Sequence, residues 1–308
     1  MPLSDVDSFE LEPLLREEEQ EWLQHLSWDY SSSTAILKRL IDQKALSGFV
    51  TRLPGGMAGY AFYILEGSVG LIGSCYVRRR FMAKQLEPEL LTRIVEVLQA
   101  KSSVRRIEAQ IMNFRNWPLG AFFSRLKFQL FDRVFMIQKP LRMGEIRTIP
   151  GVRFSPWQSD SLEPAARLTW EAYQEAIDRR ISYHYQTLDG CRRFLNGLVS
   201  RPGCGTLEGA GSICAWSDSD ERLLGYVLAS TISPGSGHIP QITVSSRYRQ
   251  RGLGRQLLAR ANSEFSRRGY SSVSLTVSAK NVAAMGLYRS LNFVQHHSIQ
   301  AAVWQRAS

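Results

Sequence analysis

The chain has 308 residues, 44% hydrophobic and 21% charged, an ordinary globular balance with length for one large domain or two of about 150 residues. Its formal net charge of +10 is almost all arginine, spread over segments such as VRRRF at 77–81, VRRIE at 104–108 and SRRGY at 266–270. Nucleic-acid readers gather such charge on one element with interleaved aromatics, so no nucleic-acid partner is expected. The opening segment, MPLSDVDSFELEPLLREEEQ, is acidic where a secretion leader is basic and then apolar, and no run of about 18 apolar residues occurs. A cytoplasmic protein with no membrane partner is expected. Cys75, Cys191, Cys204 and Cys214 show neither C-x-x-C pairing nor ligand spacing with the five histidines, which argues against a metal site and a disulfide framework.

Apolar residues at three- and four-residue steps predict helices over 17–26 and 33–46. Strands are predicted at 49–53, 59–66 and 69–77, parted by the turn segments PGGM and EGS. A helix over 87–100, a strand over 106–112, a helix over 117–128 and a strand over 130–141 complete the first half. After the connector MGEIRTIPG come a strand at 152–157, helices over 161–177 and 188–200, and strands at 211–216, 222–233 and 238–244. A helix over 254–268 closed by Gly269, a strand at 273–277 and a helix over 281–293 follow. One plan occurs twice. VRRRFMAKQLEPELL (77–91) aligns with VSSRYRQRGLGRQLL (244–258) without a gap, and after a two-residue shift NWPLGAFFSRLKF (116–128) aligns with NVAAMGLYRSLNF (281–293).

RQRGLG, from Arg249 to Gly254, follows a strand ending in Val244 and opens a helix whose Leu253, Leu257, Leu258, Ala261 and Phe265 fall on one face. Unpaired amides and a dipole worth roughly half a positive charge make a helix start an anion site, and Gly252 and Gly254 keep Cβ atoms out of the approach. A dinucleotide fold needs a third glycine where this chain has Leu257, and a Walker loop needs G-K-[ST]. Neither is present, so a pyrophosphate held in another way is expected. Pro240 removes a ladder donor from the preceding strand and suggests a bulge or a splayed neighbour, whose free backbone groups suit an extended amide-bearing arm; a frayed strand start is the other reading.

Arg249-x-x-Gly252-x-Gly254 after a strand ending in valine, with N-x-x-A-x-x-L-Y-x-x-L-x-F downstream, resembles the signature of the GCN5-related N-acetyltransferase (GNAT) superfamily, most strongly over 211–295. The resemblance implies an α+β fold of two tandem GNAT-like domains, each a mixed, mostly antiparallel sheet flanked by helices. A degenerate domain at 1–140, a linker at 141–151 and a catalytic domain at 152–308 are expected. It also implies acetyl-CoA as co-substrate, with the pyrophosphate on the loop formed by Arg249, Gln250, Arg251, Gly252, Leu253, Gly254 and Arg255, and the pantetheine arm along Ile242, Thr243 and Val244. Asn281 is placed to cap the last helix, and the motif also sets it near the cofactor. Tyr288 shares a helical face with Ala284 and Leu291, as a core tyrosine does; by resemblance it protonates the departing CoA thiolate. Asn292 replaces the usual glycine of L-G-F and tolerates the left-handed turn of a helix end.

An alkylammonium with a pKa of about 10.4 has no lone pair at neutral pH, so the acceptor amine needs a base or a water chain. His238 opens the acetyl-bearing strand, as a histidine does in the similar serotonin N-acetyltransferases; it reads equally as a solvent-facing turn residue of SPGSGH. His184, in RISYHYQ between two helices, is the other candidate. Of the flanking cations Arg247, Arg249, Arg251 and Arg255, one or two are expected on CoA phosphates. In the first copy Gln85 and Glu87 replace Gly252 and Gly254, and Phe123 replaces Tyr288. Glutamine crowds an anion, a carboxylate repels it and phenylalanine has no proton to give, so no CoA binding is expected there. The function expected is acetyl transfer from acetyl-CoA to a small-molecule or peptide amine. A non-catalytic CoA-responsive regulator and a nucleic-acid binder are the alternatives. Tandem proteins such as the mycothiol synthases are similar in layout, but nothing in these residues identifies that substrate.

Overall fold

The computed structural model describes residues 1–308 apart from Asn116, Pro202 and Ser308. The Asp7 carboxylate accepts the Glu10 N–H at 2.9 Å and so caps α1 (Ser8–Leu26), which starts well before the predicted residue 17 and buries Leu11, Leu14 and Leu15. There follow α2 (Ser31–Asp42), β1 (Ser47–Leu53), β2 (Gly56–Glu66), β3 (Val69–Val77), α3 (Glu87–Ala100), β4 (Arg106–Gln110), α4 (Leu119–Arg125) and β5 (Gln129–Gln138). The second copy holds β6 (Val152–Pro156), α5 (Leu162–Ala172), the single turn α6 (Asp178–Ile181), α7 (Leu188–Ser200), β7 (Thr206–Leu207), β8 (Ile213–Ser217), β9 (Leu223–Ser233) and β10 (Ser236–Val244). It closes with α8 (Leu253–Arg267), β11 (Ser272–Ser278), α9 (Val282–Ser290) and β12 (Val294–Gln305).

Two compact units result: Met1–Asp132 with Ile299–Ser308, and Arg133–Ser298. In the first, β1, β2 and β3 pair antiparallel, β3 pairs parallel with β4, and β4 pairs antiparallel with Ala301–Gln305 of β12. In the second, β6, β8, β9 and β10 pair antiparallel, β10 pairs parallel with β11, and β11 pairs antiparallel with residues 133–138 of β5; β7 joins β9. Each sheet is mixed and mostly antiparallel, with helices on both faces. In the second unit Leu253, Leu257, Leu258, Ala261 and Phe265 of α8 are all 0 or 1% exposed in one core, as the helical face predicts, while α5 and α7 pack elsewhere with Cys191, Leu195 and Tyr226. A Cβ on Gly237 would lie 2.7 Å from the Phe265 ring, so a bare strand backbone there lets α8 sit close.

The division differs from the expected 1–140 and 152–308. The strand after each copy's last helix completes the sheet of the other unit, because β11 takes β5 and β4 takes β12. β12 was absent from the predicted elements, although the repeat itself places a strand after the final helix. The expected linker is not a free tether either. Leu141 N–H bonds Ser271 O at 2.8 Å, Arg147 N–H bonds Gln256 Oε1 at 2.7 Å, and Gln256 Nε2 bonds Glu145 O at 3.1 Å. Polar groups on α8 therefore strap the segment down. Its neighbours demand this, since Gln256 and Asn262 are buried and need partners.

A chain of residues 141–308 lacks β5 and bares the β11 edge and its apolar row of Val273, Leu275 and Val277. It is expected to aggregate or stay unfolded by circular dichroism and size exclusion, whereas the whole chain folds. A soluble, folded 141–308 fragment would contradict the strand exchange.

Candidate active site

Pro240 marks where the second sheet opens. β10 and β11 pair only from Ser236↔Ser272 to Ile239↔Leu275, and the β9–β10 register slips between His238 and Gln241. Beyond Ile239 the neighbour is gone, as a proline within the strand suggests. β10 stays paired with β9 through Ile242↔Val227, Thr243↔Tyr226 and Val244↔Gly225. In an antiparallel pair alternate residues turn their amide groups away from the partner, so part of the 240–244 backbone faces the side that β11 has left.

At the end of this gap stands the opening of α8. Gln250 (φ 59°) and Gly252 (φ 82°) are left-handed, and Gly252 is the helix cap with no side-chain hydrogen bond. The first helical bond, Gln256 N–H to Gly252 O at 3.0 Å, leaves the amides of Leu253, Gly254 and Arg255 ahead of it without intrahelical acceptors. A Cβ on Gly252 would meet nothing within 4 Å, so the approach is bare; one on Gly254 would come 3.2 Å from Leu287. The arginines are less concentrated on the loop than expected. Arg249 Nη2 donates to Ala172 O at 2.8 Å, tying the loop to the end of α5, and Arg255 Nη2 reaches Ser290 Oγ at 2.6 Å. Arg251 lies over the Tyr248 ring at 5.8 Å, and Arg247 is exposed. What the loop presents at the helix start is therefore backbone amides more than guanidinium groups.

Asn281 caps α9, its Oδ1 accepting Ala284 N–H at 3.2 Å, and Asn292 is left-handed at φ 62°. Asn116, aligned with Asn281 in the first copy, lies outside the described residues. Tyr288 is 6% exposed in the core with Phe293, and burial first, then Tyr173 and Asp178, holds its hydroxyl well above the usual phenol range. It is protonated at neutral pH.

His238 is not the solvent-facing turn residue of one expectation, and it is poorly suited to the other, a base. It is 5% exposed, parallel to the Phe135 ring at 6.1 Å, with Nδ1 2.9 Å from Ser274 Oγ. The Ser274 hydroxyl donates to Gly237 O at 3.2 Å, so Nδ1 is the donor to Ser274 and Nε2 carries the lone pair. Burial lowers its pKa to about 3, because the imidazolium ion cannot be solvated there. His184 is half-buried against Tyr183 and Phe194, with ring centroids at 4.1 and 5.5 Å.

The rest of the cavity wall escaped sequence reasoning. α5 ends at Ala172 rather than running to residue 177, and the freed segment brings Tyr173 against Tyr185, stacked at 4.2 Å. Gln241 Nε2 donates to Tyr173 Oη and to Thr243 Oγ1, both at 2.9 Å, and Tyr185 Oη donates to Gln241 Oε1 at 3.3 Å. Gln241 was legible as a polar residue inside an apolar strand; its partners come from distant elements and were not.

The first unit repeats the opening and fills it. β3 and β4 pair only from Val69↔Arg106 to Ile72↔Ala109, and Gln85 keeps the left-handed turn of Gly252 at φ 50°. Glu87 and Glu89 occupy the first turn of α3 and supply its dipole with negative charge from within. Arg115 plugs the gap. Its guanidinium donates to the carbonyl of Val77, the counterpart of Val244, and to Tyr76 Oη at 2.6 Å and Glu21 Oε1 at 2.9 Å. What remains is a cavity of about 40 Å³ bounded by Cys75, Val77, Glu87, Ile111 and Arg115. Lys280, aligned with Arg115, is exposed.

A parted parallel pair leading to a glycine-capped helix start defines the second unit as a GNAT-type acyltransferase fold. Residues 166–293 match the Acetyltransferase (GNAT) family. A stretch of 160 residues is 30% identical to the mycothiol acetyltransferase of Kocuria rhizophila, spanning 50% of this chain and 49% of that protein, about half of each. The structure is similar to a GCN5-related N-acetyltransferase from Sphaerobacter thermophilus (TM-score 0.60, 21% identity, 82% of this chain and 78% of that one). It is also similar to a tandem GNAT protein from the clavulanic acid biosynthesis pathway (TM-score 0.56, 17% identity, 86% and 84%). The family match falls within the second unit, and the fold as a whole is like that of a tandem GNAT protein. Among the described residues no helix is long and apolar enough to cross a membrane.

Unfolded, the His238 imidazole takes a proton near about 6.5; folded, it does so at about 3. Between these values the unfolded chain binds more protons, so the contribution is complete above about pH 6.5 and is lost as pH falls toward 3. His238→Gln is expected to flatten part of the acid-side fall in melting temperature between about pH 6.5 and 4. Parallel slopes for variant and wild type would contradict the assignment.

Proposed function

We propose that the second unit transfers an acetyl group from acetyl-CoA to a primary amine by direct attack, and that the first unit binds no CoA. The observation that carries this is the bare, glycine-capped opening of α8 at the end of the parted β10–β11 pair, where the first unit instead has Arg115 donating to the Val77 carbonyl. Acetyl-CoA supplies the thioester. The amides of Gly252, Leu253, Gly254 and Arg255 hold its pyrophosphate, with Gln250 and Arg251 on the turn, while Arg249 fixes the loop against α5. Backbone groups of Ile242, Thr243 and Val244 hold the pantetheine arm as an added strand, and Asn281 lies beside it while capping α9.

The acceptor nitrogen attacks the thioester carbon; the C–N bond forms, the C–S bond breaks, and Tyr288 gives its proton to the departing sulfur. The burial that keeps Tyr288 protonated supports this role. His238 acts as a neutral hydrogen-bonding wall; of the two protons the ammonium loses, one restores the Tyr288 hydroxyl and the other passes through water to solvent. Holding two reactants at attack distance can be worth effective molarities of ~10⁵ M, which needs no covalent enzyme intermediate.

Titration calorimetry of the whole chain should show a single acetyl-CoA per chain, and Gly252→Asp should weaken binding at least about tenfold, some 1.4 kcal/mol, through charge and backbone strain. Unaltered binding would remove the loop assignment. Tyr288→Phe should lower kcat by about 10²-fold while leaving acetyl-CoA affinity within about twofold. Unchanged turnover in thiol-release assays would take Tyr288 out of the chemistry.

A further inference from the structure

Asp178 opens the single turn of α6, in the segment between Tyr173 and Tyr185 that links α5 to α7. Its Oδ1 accepts the Ser278 hydroxyl at 2.7 Å and lies 3.8 Å from Arg133 Nη2. Ser278 and Arg133 are direct cross-strand partners at the ends of β11 and β5, past the point where β11 has left β10. One bank of the gap therefore holds this carboxylate in a fixed orientation. Both contacts use Oδ1; among the described residues no hydrogen bond or ion pair engages Oδ2. The side chain keeps 13% exposure, so the carboxylate is not sealed in.

The opposite bank offers no comparable open group. Gln241 is taken up by Tyr173, Tyr185 and Thr243, and the Tyr226 hydroxyl by Thr169 at 2.5 Å. Burial first, and the charge of Asp178 among the lesser causes, raises the Tyr173, Tyr185 and Tyr288 hydroxyls above the usual phenol range. Arg133 already sets a cation 3.8 Å from Oδ1, so the charge left to be met is on the Oδ2 side. An ammonium suits a fixed carboxylate oxygen there through a charge-assisted hydrogen bond.

We infer that Asp178 receives the amino group of the acceptor, Oδ2 taking one N–H of a primary ammonium at the mouth of the gap between β10 and β11, so that the acceptors are amines cationic at neutral pH. This rests on the acetyl-transfer reading and adds to it the residue that selects the acceptor.

The test uses the whole chain, calorimetry with acetyl-CoA, and thiol release with glucosamine, 2-phenylethylamine, spermidine and L-lysinamide. At least one amine is expected to be acetylated. Asp178→Asn is expected to raise KM for that amine about 10- to 100-fold, the scale of a hydrogen bond to a charged group, with acetyl-CoA affinity within about twofold. Ser278→Ala removes the pin and keeps the charge, so it should change KM far less. Asp178→Glu should recover part of the loss, and melting temperatures identify any variant that has unfolded. Equal losses in Asp178→Asn and Ser278→Ala would make Asp178 a structural pin and overturn the inference, as would an unchanged KM in folded Asp178→Asn. A wild-type chain that binds acetyl-CoA but acetylates none of the four amines overturns the acceptor assignment and leaves the donor site standing. One that binds no acetyl-CoA removes both.

Discussion

A parallel pair that ends after four residues shapes this protein. When β11 leaves β10 beyond Ile239, the sheet gives up ladder hydrogen bonds in its own interior, where unpaired backbone groups are costly unless something else satisfies them. Pro240 eases the break because it has no N–H to leave unpaired. The other features of the site follow from that gap: Gln241 bonds across to tyrosines on one bank, Ser278 and Arg133 position Asp178 on the other, and the start of α8 closes the end.

The two units show two solutions to the same deficit. In the first, Arg115 donates to the Val77 carbonyl and is itself held by Tyr76, Glu21 and Glu17, so the protein's own side chain takes the place of a ligand. A guanidinium suits this because its donors lie in one rigid plane and can serve a carbonyl, a phenol and a carboxylate together. Glu87 and Glu89 occupy the positive end of α3. In the second unit the same turn carries glycine and no carboxylate, and the aligned Lys280 points to solvent. The left-handed turn recurs at Gln85, a conformation glutamine adopts at a cost, so the two units share this geometry without sharing its glycine.

Burial governs the acid–base character of the site. His238 is held neutral and Tyr288 held protonated by the same desolvation, which opposes charge of either sign. A group that works from its neutral form tolerates such a setting better than a base that must become a cation. Asp178 and Arg133 carry charge beside the parted strands, Arg133 from the end of β5 and Asp178 through Ser278 at the end of β11.

The sequence alone determined the longer elements apart from β12, the repeat and the loop. Helical spacing placed α3 and α7 at their observed bounds, and the buried face of α8 was readable residue by residue, because local periodicity and glycine chemistry are properties of contiguous chain. Pro240 announced the parted strand for the same reason. Tertiary structure alone decided which strand completes which sheet, since pairing of β5 with β11 and of β12 with β4 depends on partners more than a hundred residues apart along the chain. It also decided the charge states and the company of the polar residues: nothing around His238 in SPGSGH reveals Phe135 above its ring, and nothing in EAIDRR reveals Ser278. Periodicity reports which face of an element is buried; only packing reports what it is buried against.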